Sequence, residues 1–117
     1  MLAALINLKE KIDSVHLYIA GKNYYEIPPI RRNAYEKYIL KMIRDNGLEG
    51  NVTFTGNLDA EAMKRQYLNC NVFVSPSSIE NSPNSVGEAM LLGVPVISSR
   101  VGGVHNMIDE GSEGILY

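Results

Sequence analysis

The sequence predicts an α/β fold, a parallel sheet with helices on both faces, and three observations predict it. Short apolar runs alternate with helical patterns along all 117 residues. The runs are mostly apolar rather than cleanly alternating, as in strands covered on both faces. The connections between strand and helix patterns are short, which favours a sheet sandwiched by helices.

Each element can be justified in order. Residues 1–12 carry Leu5, Leu8 and Ile12 on one helical face. His16-Leu17-Tyr18-Ile19-Ala20 is a strand ended by Gly21, and Lys22 to Pro29 is an irregular loop whose Asn23, Tyr24 and Tyr25 could rim a ligand or simply face solvent. Ile30, Ala34, Tyr35, Tyr38, Ile39, Met42 and Ile43 recur at helical spacing up to Gly47. A strand follows at Val52 to Thr55, then Asp59 caps a helix with Ala60, Met63 and Tyr67 on one face. The third strand holds Val72-Phe73-Val74, and a helix from Ser85 to Leu92 stops at Gly93, with Pro95 beyond. Pro95 to Ser98 is a strand, Gly102-Gly103 precedes a short helix ended by Gly111, and Ile115 starts a last strand. The leading helix lacks a preceding strand and the final strand lacks a following helix. The expectation is therefore one Rossmann-like domain over 1–117, incomplete at both ends.

Hydrophobic residues make up 45% and charged residues 21%, with a net charge of -2, so bulk electrostatics give no pull toward nucleic acid. Arg31-Arg32 and Lys64-Arg65 read as solvated helix faces. The single cysteine, Cys70, excludes an internal disulfide and leads into an apolar strand, where a small buried residue is expected. No apolar run approaches the ~20 residues of a membrane span, and the first residues make no convincing signal peptide. A soluble, cytoplasmic chain is expected. With no Asp-x-Asp, and with His16 and His105 far apart, neither a required metal nor a cofactor is expected.

In open parallel sheets, ligands bind beyond the carboxyl ends of the strands. The segment from Ser75 to Met90 follows the third strand and opens into a helix, rich in small polar residues and carrying Glu80 and Glu88. Amides at such a helix start suit a phosphate, and Asn84, Ser85 and Val86 are best placed to offer them. A blander reading stands beside this one. Ser85-Val86-Gly87-Glu88 fits a capping box, in which Glu88 serves its own first turn, and Ser77-Ser78-Ile79-Glu80 has the same form.

The run from Glu80 to Ser98 resembles the signature of family 4 glycosyltransferases, retaining enzymes of the two-domain GT-B type. Its components here are Glu80 and Glu88 with seven residues between them, Ala89-Met90, Gly93-Val94-Pro95-Val96 and Gly102-Gly103. Leu17-Tyr18-Ile19-Ala20-Gly21, Asn51 to Gly56, Asp109-Glu110-Gly111 and Gly114 also fall in family order, so the resemblance covers nearly the whole chain. It implies the C-terminal, donor-binding half of such an enzyme, with a nucleoside-diphosphate sugar as donor. Glu88 would accept hydrogen bonds from the donor ribose. Glu80 would lie near the transferred sugar, the amides of Asn84, Ser85 and Val86 would hold the diphosphate, and the main chain around Leu58 would line the base. The reaction implied is transfer to an acceptor hydroxyl with retention, in polysaccharide or glycolipid synthesis. The acceptor, a saccharide or lipid-linked saccharide, would bind an N-terminal domain that these residues do not include. The full-length protein would then work in the cytoplasm, with peripheral contact at the inner membrane face open to it.

Two departures matter. The family carries an arginine and a lysine on and after the strand preceding the first helix here, and this chain has no counterpart to that segment. The family's usual second glycine after Ala-Gly is Asn23. Without those parts the fragment is expected to be inactive alone. Rival readings are a sugar-nucleotide epimerase of the same fold, a nonenzymatic nucleotide-binding module, and a glycosidase using Glu80 and Glu88. On one continuous helix those two carboxylates would stand ~12 Å apart, too far for a glycosidase pair, but Pro83 suggests a loop between them. A dinucleotide dehydrogenase is disfavoured, since no Gly-x-Gly-x-x-Gly follows the first strand.

Overall fold

The computed structural model describes residues 1–79 and 83–117. Its chain divides into two compact units, Met1–Asp59 and Ala60–Tyr117. Both are built from helices and parallel strands, as the sequence predicts. The ladders among the described residues form a two-stranded and a three-stranded parallel sheet.

The first unit contains α1 (Leu2–Lys9), β1 (Leu17–Ala20), α2 (Ala34–Asp45) and β2 (Val52–Gly56). Strands β1 and β2 pair in parallel from Leu17 opposite Val52 to Ala20 opposite Gly56. Leu2 and Leu5 of α1, Leu40 and Ile43 of α2, Leu48, and Val52 and Phe54 of β2 make its core. Helix α1 is shorter than expected, so Leu8 and Ile12 stay exposed. Ile30 also lies outside α2, in a 3-10 turn over Pro29–Arg31, and is 91% exposed. Asn33 accounts for the difference, because its extended backbone and its capping box with Glu36 set the helix start at Ala34. Asn23, standing where the resemblance expects glycine, has φ -81 and accepts from the Tyr25 N–H at 3.1 Å. It closes a 3-10 turn over Tyr24–Glu26 without needing a left-handed backbone.

The second unit contains α3 (Ala60–Asn69), β3 (Phe73–Ser75), α4 (Asn84–Leu91), β4 (Val96–Ser98) and β5 (Gly114–Leu116). The sheet order is β3-β4-β5, with Phe73 opposite Val96 and Val96 opposite Gly114. Tyr67, Val86, Ala89, Val94, Val96, Val104, Ile108 and Leu116 form the buried core. Gly93, at φ +73, ends α4 with the Val94 N–H on the Ala89 carbonyl and its own N–H on Met90, both at 2.9 Å. That paired closure favours glycine at the left-handed position. At Gly114 a Cβ would stand 2.9 Å from both the Val96 carbonyl and a methyl of Ile108, so β5 can pack there only as glycine.

The helix expected after Gly102-Gly103 is a single 3-10 turn over Val104–Asn106. The Asp109 N–H goes to the Glu113 carboxylate at 2.8 Å instead of continuing a helical ladder, and the chain turns into β5. Cys70 is half-buried, its thiol donating to the Tyr67 carbonyl at 3.2 Å. Burial pushes that thiol up from its ordinary pKa, which suits packing better than nucleophilic reactivity. No helix among the described residues is long and apolar enough to cross a membrane.

Candidate functional site

The carboxyl end of β3 is tied to that of β4 by serine hydroxyls. Ser98 is fully buried and its hydroxyl reaches the Ser75 carbonyl at 3.4 Å. The Ser99 N–H donates to the same carbonyl at 3.0 Å, and the Ser99 hydroxyl donates to the Ser77 carbonyl. The start of the loop beyond β3 is thus anchored where the sheet ends. Glu80 lies outside the described residues.

Helix α4 begins at Asn84, one residue earlier than the sequence predicts, with Pro83 as its N-cap and no side-chain cap hydrogen bond. This start settles the capping-box alternative for Glu88. Ser85 is the second helical residue and the N-cap, Pro83, has no N–H to donate, so Glu88 closes no capping box. The Val86 N–H donates to the Pro83 carbonyl at 3.1 Å. Among the described residues, the amides of Asn84 and Ser85 have no acceptor. Asn84 is exposed, Ser85 half-buried and Val86 fully buried, so the first two present themselves at the helix end.

Glu88 is exposed on α4, and its Oε2 accepts from the Tyr67 hydroxyl at 3.3 Å. Its other oxygen has no partner among the described residues. Tyr67 comes from α3, is 3% exposed, and also contacts the Ser85 carbonyl at 3.2 Å through its hydroxyl. Burial, then the charge of Glu88, pushes the Tyr67 hydroxyl up to about 12, so it remains a donor throughout the neutral range. Sequence reasoning saw Tyr67 only as one apolar position of a helix face. A buried tyrosine seeking a hydroxyl partner was the available signal, but its partners lie 18 and 21 residues away.

Asn84, Ser85, Val86 and Glu88 thus share one helix, which Asn84 joins one residue ahead of the expected start. Leu58 lies half-buried on the loop after β2, in the first unit. A cavity of about 530 Å³ in the second unit is lined by Val72, Pro95 and Gly114 among others. It opens at the amino ends of β3, β4 and β5, opposite the carboxyl ends where parallel sheets bind ligands.

The family model for glycosyl transferases group 1 matches residues 1–117. The chain belongs to the group 1 glycosyl transferases. Among curated relatives, a GDP-mannose-dependent alpha-mannosyltransferase of Corynebacterium glutamicum is 30% identical over 98 residues, covering 84% of this chain and 22% of the relative. A sulfoquinovosyl transferase of Arabidopsis thaliana is 41% identical over 61 residues, covering 52% of this chain and 12% of the relative. The chain therefore spans under a quarter of the length of these relatives. Among solved structures, sucrose-phosphate synthase from Thermosynechococcus elongatus superposes with a TM-score of 0.77 at 30% identity, over 98% of this chain and 28% of that one. Anabaena HepE, solved with UDP-glucose, superposes with a TM-score of 0.79 at 24% identity, over 97% of this chain and 30% of that one. The fold is that of the GT-B glycosyltransferases.

Proposed function

We propose that residues 1–117 are the donor-binding part of a retaining glycosyltransferase that takes a sugar from a nucleoside diphosphate. The observation that carries this reading is the open start of α4. Two amides without acceptors among the described residues precede an exposed carboxylate by one helical turn. A diphosphate would accept from Asn84 and Ser85, and the ribose hydroxyls would donate to Glu88. Hydrogen bonds to a charged group contribute roughly 1.5–3 kcal/mol each, against about 0.3–1 kcal/mol for the helix dipole. The amides would therefore hold the phosphates, with the dipole a lesser aid. Val86 would contribute less than its neighbours, because its N–H already donates to Pro83.

The Corynebacterium relative depends on GDP-mannose and the HepE structure holds UDP-glucose, which supports a nucleotide-sugar partner here. The placement of Glu80 near the transferred sugar and of Leu58 beside the base rests on the family resemblance. So do the acceptor saccharide or lipid-linked saccharide, an N-terminal acceptor-binding domain, inactivity of these residues alone, and a cytoplasmic role in polysaccharide or glycolipid synthesis.

Calorimetry with UDP, GDP and inorganic pyrophosphate tests the reading. Glu88→Ala is expected to weaken the nucleotide about tenfold or more and pyrophosphate less than twofold. Equal losses for both ligands would remove the ribose role.

A further inference from the structure

The hydroxyl of Tyr67 has a place in the donor site that the sequence motif does not include. Its ring is buried and lies edge-on to Phe73, with centroids 5.4 Å apart and planes at 76°. A ring fixed on both counts delivers its hydroxyl to one place, between the Ser85 carbonyl at 3.2 Å and Glu88 Oε2 at 3.3 Å. A hydroxyl has one proton to give. An ionised carboxylate is a stronger acceptor than a peptide carbonyl, so that proton favours Glu88. An exposed glutamate otherwise samples many rotamers, and binding must remove that freedom.

We infer that Tyr67 is the positioning residue of the donor site, holding one oxygen of Glu88 and leaving the other for the ribose hydroxyls. This rests on the donor reading above. It adds a specificity consequence: Tyr67 acts on nucleoside recognition through Glu88 and contributes nothing to diphosphate binding at the amides. Raised by burial and by the Glu88 charge to about 12, the hydroxyl remains a donor throughout the neutral range.

The test is a double-mutant cycle on the 117-residue chain, read by calorimetry with UDP, GDP and inorganic pyrophosphate. Glu88→Gln is expected to weaken the tighter nucleotide about tenfold or more. Tyr67→Phe, which keeps the ring against Phe73, is expected to weaken it roughly three- to tenfold. Both variants should bind pyrophosphate within twofold of wild type, and the double variant should match Glu88→Gln within twofold. If Glu88→Gln loses affinity while Tyr67→Phe does not, the Tyr67 role is overturned and the donor reading stands. A Tyr67→Phe loss that persists in the Glu88→Gln background, or that extends to pyrophosphate, marks a merely structural tyrosine and also overturns it. Wild-type affinity in Glu88→Gln, or no nucleotide binding by wild type, overturns the donor reading and this inference with it. Should Tyr67→Phe fail to fold, 13C relaxation of wild type decides. The Glu88 Cγ methylene is expected to be more ordered than that of exposed Glu49, and equal mobility overturns the inference.

Discussion

Helices α2 and α4 face the same difficulty at their first turns and resolve it in opposite ways. Every helix begins with N–H groups that have no partner within the helix. At α2, Asn33 accepts from the Glu36 N–H at 2.8 Å, and Glu36 Oε2 accepts from the Asn33 N–H at 2.9 Å. Lys22 takes the remaining carboxylate oxygen at 2.8 Å, and Glu36 is 4% exposed. Both Glu36 oxygens are thus engaged, although the Ala34 and Tyr35 amides, like those of Asn84 and Ser85, have no acceptor among the described residues. At α4, proline occupies the N-cap with no side-chain cap, and Glu88 stands exposed with one tyrosine hydroxyl on it. The same residue type near the same end of a helix is structural in one unit and available in the other. The difference lies in cap and position together: Glu36 is the third helical residue after an asparagine cap, Glu88 the fifth after a proline.

This contrast can be broken by exchanging the glutamates' charges. Glu88→Gln should lower nucleotide affinity roughly 10- to 100-fold, about 1.4–2.7 kcal/mol, and leave the melting temperature nearly unchanged. Glu36→Gln should do the reverse, lowering the melting temperature with nucleotide affinity intact. Calorimetry and thermal melts on both variants check the pair, and a shared effect on either readout would erase the distinction.

Cap removal should come next in size. Asn33→Ala is expected to destabilise the chain by about 1 kcal/mol in urea titration. Asn84→Pro should leave stability unchanged, since proline is accommodated in a first helical turn. It should weaken pyrophosphate several-fold by deleting one amide donor. Undiminished pyrophosphate binding would mean that the α4 amides hold no phosphate.

The smallest expected effects are in pH. The Lys22 ammonium, then the Asn33 N–H, hold the Glu36 carboxyl below its usual pKa of 4.5. A depressed folded pKa gives stability that is present above the unfolded value and lost as pH falls through the folded one. Denaturant midpoints should therefore drop below about pH 4.5, less so in Glu36→Gln. Tyr67 has the opposite sense: its hydroxyl is raised from 10.0 to about 12, so stability should fall as pH climbs through that window, and Tyr67→Phe should flatten the fall.

Much of this arrangement was legible in the sequence. Periodicity located the helices and strands because burial sets it, and glycines such as Gly93 marked ends where the backbone turns left-handed. The open amides at the start of α4 followed from a helix start beyond a parallel strand. Three things were not legible. Pro83 moves the start of α4 one residue, which alone decides between a capping box and an available Glu88. Glu113 stops the helix after Gly103 from four residues downstream of Asp109, a contact no helical pattern encodes. Tyr67 meets Glu88 across the packing of α3 on α4, and local spacing is blind to such pairs.

The most direct measurement follows backbone amides of the 15N-labelled chain by NMR during titration with UDP or GDP. Saturable shifts are expected at Asn84, Ser85 and Glu88, with Asn33 and Glu36 unmoved. Shifts at the start of α2 instead, or none at Asn84 and Ser85, would contradict the donor-binding account.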